Sequence, residues 1–173
     1  MKRFFLSIFT IITLFTNAAF CEEKILFIDM DRVISTSNSG VSILEQLNKI
    51  NKKNILFFNK EEKIFKEKEL KLISQKNIIS ETDFNSKVKK LKTEINDYNQ
   101  KKNKMINNFK KLKADNTNKL SMSINKILVE YSVDNSISFI LQKKNLIIGK
   151  TELDITDKII KIVNNKVSKF KVE

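Results

Sequence analysis

The stretch FNSKVKKLKTEINDYNQKKNKMINNFKKL, residues 84–112, decides the fold. Phe84, Val88, Leu91, Ile95, Tyr98, Met105, Phe109 and Leu112 follow in alternating steps of four and three, interrupted only by Lys102. Apolar residues recurring about every 3.5 positions form a seam that drives one helix against another. After Phe109 an eleven-residue step leads to Leu120, and Ile124, Ile127 and Tyr131 continue the series; such a step marks a stutter. Ser80-Glu81-Thr82-Asp83 places an N-cap and two acids at the helix start. The spacing therefore predicts a helix over 81–131, about 75 Å long.

An earlier helix is expected over 41–73. Ile43, Leu47, Ile50, Phe57 and Ile64 form one stripe, and Leu44, Ile55, Phe58, Phe65 and Leu72 an adjacent one. The pattern breaks over 74–80. Neither helix fits inside a compact domain of this size, so the two should pair as an antiparallel hairpin projecting as an arm. Lys102, at a core position, either sets the register or extends its amine to water.

The ends of the chain read differently. Lys24-Ile25-Leu26-Phe27-Ile28-Asp29-Met30 is a short apolar run of strand character. Residues 31–39 connect it to the arm, and Ser37-Asn38-Ser39-Gly40 offers an N-cap. Strands are expected at 137–141 and 146–148, joined as a hairpin by 142–145 and ended by Gly149. Asp154-Ile155-Thr156-Asp157 then caps a final helix with Ile155, Ile159, Ile162, Val163 and Val167 on its apolar face. The fold class is α+β, mostly α: a long coiled-coil hairpin arm (41–131) on a small β body of three strands per chain (22–40 and 132–173). Three strands bury little, so bodies are expected to associate.

Composition removes many chemistries. The 173 residues include 2 Gly, no Pro, no Trp and no His. Without His there is no Ser-His-Asp or Cys-His machinery and no imidazole-held zinc. Cys21 is the single cysteine, which precludes an intrachain disulfide and a cysteine metal cluster. The scarcity of Gly and Pro suits a few long elements. No enzyme activity, cofactor or metal is expected.

Residues 1–21 read as a secretory signal: Lys2 and Arg3, an apolar stretch over 4–15, then small Ala18 and Ala19. Cleavage after Ala19 or after Cys21 fits. Lipidation at Cys21 is disfavoured by bulky Phe20, and an uncleaved anchor by the shortness of the run and its threonines. The remaining chain holds no second apolar run of about 18 residues, so a soluble exported protein is expected.

Taken together, 24–33 followed by Gly40, the long basic hairpin, 133–141 and the Asp154-Ile155-Thr156 helix start resemble the Skp/OmpH chaperones over essentially the whole chain after the signal. The resemblance implies a homotrimer whose bodies pool strands into a barrel-like core. It implies three arms around a cavity that holds unfolded outer-membrane proteins, without ATP, in the periplasm. The net charge of +13 supplies a physical reason. From Glu45 to Tyr131 there are 21 lysines against 11 acids, a net of +10. Such arms would attract acidic unfolded chains, and could touch anionic lipid or lipopolysaccharide surfaces. Candidate client contacts on the arm are Phe57, Phe58, Phe65, Lys87, Lys89, Lys90, Lys101 and Lys102. A solvated helix face is the plain alternative for each lysine, and coiled-coil core for each phenylalanine.

Three rival readings exist. Asp29-Met30-Asp31-Arg32-Val33 imitates the strand end of haloacid-dehalogenase-like phosphatases, but a coiled coil follows it instead of βα units. Nucleic-acid binding would suit the charge, yet the export signal opposes it and no known nucleic-acid motif is present. An exported structural adaptor of the envelope shares most of these features; the returning strands and the resemblance favour the chaperone.

Overall fold

The structure is a computed structural model and describes residues 23–172. The expected signal, 1–21, lies outside the described residues. Strand β1 (Ile25–Ile28) leads into helix α1 (Met30–Thr36), then helix α2 (Asn38–Ser74) and helix α3 (Glu81–Asp134). Strand β2 (Phe139–Gln142) follows, then two single 3-10 turns, Lys143–Asn145 and Thr151–Leu153, and helix α4 (Thr156–Lys166).

Helix boundaries follow from local chemistry. Asp29 accepts a hydrogen bond from the Arg32 amide and starts α1, seven residues long where a connecting stretch with at most one helical turn was expected. Ser37 ends α1 and its hydroxyl accepts from the Gly40 amide to start α2. Ser80 does the same for α3 through the Asp83 amide, as its sequence predicts. Helix α3 runs unbroken for 54 residues, about 80 Å, and α2 for 37, about 55 Å. They lie antiparallel, joined by the turn at 75–80.

Because α3 is the longer helix, its C-terminal third passes α2's first turns and enters the base. Leu120, Ile124 and Ile127 pack there with Ile43 and Leu47 of α2, Leu26 and Ile28 of β1, and Ile155, Ile159 and Val163 around α4. Burying each of these side chains contributes roughly 1.5–3 kcal/mol. The stutter has a physical filling: Asn116 is buried between Leu112 and Leu120, its amide donating 2.8 Å to the Leu112 carbonyl. The seam thus runs through a polar position that an apolar pattern skips.

β1 and β2 are parallel, with Ile25 opposite Phe139 and Ile28 opposite Gln142. The whole arm is the crossover between them. The other edge of β1 is taken by a bridge from Phe27 to Asp154, and the Ile155 amide donates 3.0 Å to the Phe27 carbonyl. The expected third strand at 146–148 is not formed among the described residues, nor is its hairpin with 137–141, which overturns the count of three strands per chain. After β2 the chain enters a 3-10 turn, then crosses the Phe27 ring at Gly149. A Cβ on Gly149 would sit 2.8 Å from that ring. Ile147 and Ile148 are left fully exposed, and the outer edge of β2 is unpaired among the described residues.

The C-terminal tail straps the arm's root. Gln46 donates to the Phe170 carbonyl at 3.1 Å and accepts from the Val172 amide at 3.1 Å; Ser39 donates to the Val167 carbonyl at 2.9 Å. Gly40 is required at the tight corner between α1 and α2, because a Cβ there would lie 1.6 Å from the Ile34 carbonyl oxygen. Gly40→Ala is therefore expected to lower stability by at least about 2 kcal/mol, read from the urea midpoint, since backbone rather than a pliant side chain must move. An unchanged midpoint would show that the corner opens freely.

Candidate functional site

The arm is two helices thick at most, so each helix can bury only the stripe facing the other. Ile55-Leu56-Phe57-Phe58 places four apolar residues in a row on α2, spread over more than one face. Phe58 and Phe57 are half-buried, whereas Ile55 and Leu56 stay in water. The two rings meet edge-on at 6.0 Å.

Each of the three candidate phenylalanines carries an ammonium over its ring. Lys101 lies 4.8 Å from the Phe57 centroid, Lys102 5.4 Å from Phe58, and Lys68 5.4 Å from Phe65. Phe65 also packs on Tyr98 at 5.3 Å. Lys102, the break in the heptad series, forms an ion pair of 2.5 Å with Glu62 across the hairpin. Tyr98 is buried in the seam, and its hydroxyl donates to the same carboxylate at 3.2 Å and lies 3.3 Å from the Phe58 carbonyl oxygen. The hydrogen bond from Lys102 holds the Glu62 carboxyl below its ordinary range and raises the Lys102 ammonium in return. Burial, aided by the Glu62 charge, pushes the Tyr98 phenol up.

Phe57, Phe58, Phe65, Lys101 and Lys102 are thus brought together in one mid-arm cluster. The remaining three lysines lie nearer the tip. Lys87 donates 3.0 Å to Gln75, and with Lys68, Lys71 and Lys90 it borders an open groove of about 520 Å³ between the helices. Lys68 is paired there with Glu94 at 2.5 Å, which lowers that carboxyl. Lys89 is exposed and stands apart from both groups. Glu62 and Asn116 were missed as seam residues. Glu62 has a sequence signal, an acid at the height of Lys102 once the hairpin is folded back on itself; Asn116 has only its place four residues from Leu112 and from Leu120.

The phosphatase-like stretch is used structurally. Asp29 caps α1, and its own amide donates 2.9 Å to the Thr156 hydroxyl. Asp154 accepts from the Thr156 amide at 2.9 Å and pairs with Lys143 at 2.8 Å. Burial alone would raise the Asp154 carboxyl, but the hydrogen bonds from Lys143 and Thr156 outweigh it and hold the group low. Asp154-Ile155-Thr156 therefore fastens the start of α4 to the end of β1. Among the described residues there is no cluster of three or more acids, cysteines or histidines placed to hold a metal, and no helix long and apolar enough to cross a membrane.

Residues 24–163 match the family model of the outer membrane protein (OmpH-like) family. The chain belongs to the OmpH-like family. A crystal structure of an OmpH-like protein from Caulobacter crescentus CB15, described as an outer membrane chaperone, shares the fold: the TM-score is 0.78 at 13% identity, over 86% of this chain and 88% of that one. No curated protein matches the sequence.

The mid-arm pair of this OmpH-like chain should respond to acid in one direction. The lowered Glu62 value means its stabilising contribution is complete above the ordinary value of 4.5 and is lost as pH falls through the lowered one. Glu62→Gln is expected to melt earlier than wild type at neutral pH, with the gap closing below pH 4.5. A gap that persists in acid would show that the carboxylate's charge is not what the arm uses.

Proposed function

We propose that this chain is an ATP-independent periplasmic holdase that keeps unfolded outer-membrane proteins from aggregating between its arms. Family membership supports a chaperone role. The observation that carries the finer reading is the arm itself. Outside the base, the two helices of 37 and 54 residues project with only each other to pack on, and much of their apolar and cationic surface stays exposed. Many weak contacts of this kind hold a chain of no fixed shape better than a closed pocket does. In this reading 1–21 is a removed signal, 22–40 with 132–173 is the body, and 41–131 is the arm. No cofactor is needed.

The bodies associate, as a homotrimer with a shared barrel-like core. Support comes from the outer edge of β2, unpaired among the described residues, where Phe139 and Leu141 are exposed, and from the exposure of Ile147 and Ile148 in the segment that follows. An open groove of about 420 Å³ runs beside it, lined by Ile28, Leu128, Ile137 and Ile140 among others. Exposed edges of this kind are normally covered. The tip-side groove bordered by Lys68, Lys71, Lys87 and Lys90 suits contact with anionic lipid or lipopolysaccharide.

The test uses the chain from Glu22. A urea-unfolded outer-membrane porin is diluted with and without it while light scattering is followed. Suppression that saturates near three chains per client, with a trimer mass by light-scattering chromatography, is the expected result. Absence of suppression at every ratio would end the holdase reading and favour an envelope adaptor. Ile95→Pro, in the tip-side third of α3, is expected to abolish protection while the trimer mass persists, because it breaks the arm and spares the base.

A further inference from the structure

The arm's positive charge is not spread along it. On α2, 46–60 contains Lys49, Lys52, Lys53 and Lys60 and no carboxylate; on α3, 98–114 contains six lysines and no carboxylate. The fold lays these two stretches side by side. Phe57 meets Lys101, Phe58 meets Lys102 and Glu62 meets Tyr98, so stepping toward the base brings 46–60 against the length of α3 that follows Tyr98. The tip-side part of the hairpin, 61–97, holds nine lysines against eight acids, and the base-side ends, 41–45 and 115–131, hold two lysines against three acids. Nearly all of the arm's net charge of +10 therefore sits in a collar on its body-side half, and the tip half is close to neutral.

Among the described residues, Lys102 is the one collar lysine in an ion pair, and its partner Glu62 lies just outside. The ten charges occupy roughly 25 Å of helix. Lysines three or four positions apart, such as Lys49 with Lys52 and Lys53 or Lys110 with Lys113, stand about 5–6 Å apart, within a Debye length of about 8 Å, and their fields add in physiological salt. In the middle of the α2 stretch stand Leu56, 69% exposed, and Ile55, 46% exposed. Leu56 has Lys52, Lys53 and Lys60 at three or four positions from it, on the same helical face.

We infer that this collar, rather than the tip, is where the arm grips its client, and that the client segment it fits is an unfolded chain in which carboxylates alternate with apolar side chains. The inference rests on the holdase reading and locates its site. A flexible chain reaches a collar set back along the arm. A flat anionic surface met by the tips stops roughly 20 Å short of it, the rise of the helix from the turn to Lys60. Leu56 gives an apolar foothold beside Lys52, Lys53 and Lys60, which a bare polyanion would not use.

The experiment compares two triple variants of equal charge loss in the full exported chain: Lys52→Gln, Lys53→Gln and Lys111→Gln in the collar, and Lys66→Gln, Lys76→Gln and Lys92→Gln toward the tip. Binding of a urea-denatured, fluorescently labelled β-barrel membrane protein is measured against salt, with circular dichroism and melting as controls. The collar triple should bind about tenfold more weakly at 0.15 M salt with a shallower salt dependence, and the tip triple within about twofold of wild type. Leu56→Ser should weaken binding about threefold without lowering the melting temperature. Equal losses in the two triples would overturn the placement while the holdase reading stands. Failure of the wild type to bind would remove the reading and the collar together. A collar triple that keeps the client but loses anionic phosphatidylglycerol vesicles would give the collar to lipid and overturn the proposal.

Discussion

A hairpin of two helices has one seam and no second layer, and the rest of this molecule is arranged around that constraint. A helix in a globular core can bury a wide face; α2 and α3 can bury only the stripe where they meet. Beyond the base, few seam side chains are fully buried, and Tyr98 is the chief exception. The seam is therefore reinforced by polar and cation-π contacts where an ordinary core would use more hydrocarbon. Glu62, Tyr98 and Lys102 tie the middle, and Lys68 with Glu94 and Lys87 with Gln75 tie the outer part. Ion pairs in water are weak one by one, with a median of about 0–1 kcal/mol. Their use here is to fix which heights of the two helices lie together, since each pair is satisfied in only one register.

Such an arm needs an anchor, and the base provides it by bringing both ends of the chain to one place. β1 lies between β2 and the Asp154 bridge, so the strand that precedes the arm is held by segments that follow it. Asp29, Asp154 and Thr156 close the polar side of that junction, while Gln46 and Ser39 hold the tail against the first turns of α2. The corner at Gly40 has no room for a side chain, and the arm departs from it. The apolar core and the arm's root are thus fixed by the same few residues.

How much of this the sequence discloses depends on whether the partner of a pattern is local. The steps from Phe84 to Leu112 disclose α3 because a heptad carries its own periodicity, and Ser80 discloses its start because a cap is a contact over three residues. Asn116 is hidden because its satisfaction, a hydrogen bond to Leu112, is invisible to a count of apolar positions. The run Leu146-Ile147-Ile148 has strand composition, yet composition says nothing of where the chain goes: it leaves the open edge of β2 and passes over the Phe27 ring at Gly149 to reach the Asp154 bridge on the other side of β1. Of the candidate contacts, Phe57, Phe58, Phe65, Lys101 and Lys102 do gather in one cluster. Their pairing with one another depends on the hairpin's register, which no single helix reveals.

Register also changes the meaning of the charge. Read along the chain, the lysines form an even, basic background broken by acids. Folded back, the acid-free parts of α2 and α3 coincide, and the mixed parts coincide toward the tip. Like charges brought together in this way oppose the pairing of the helices, so the coincidence costs stability. The mid-arm pairing of Lys102 with Glu62 stands at the boundary, where the collar's repulsion first meets a carboxylate that can answer it. The base stands at the other boundary, where Leu47, Leu120 and Ile124 are fully packed. The collar is held shut from both ends while remaining unneutralised in between. Self-repulsion that the fold must resist at both boundaries is a stored attraction for any acidic chain that arrives, because binding relieves it.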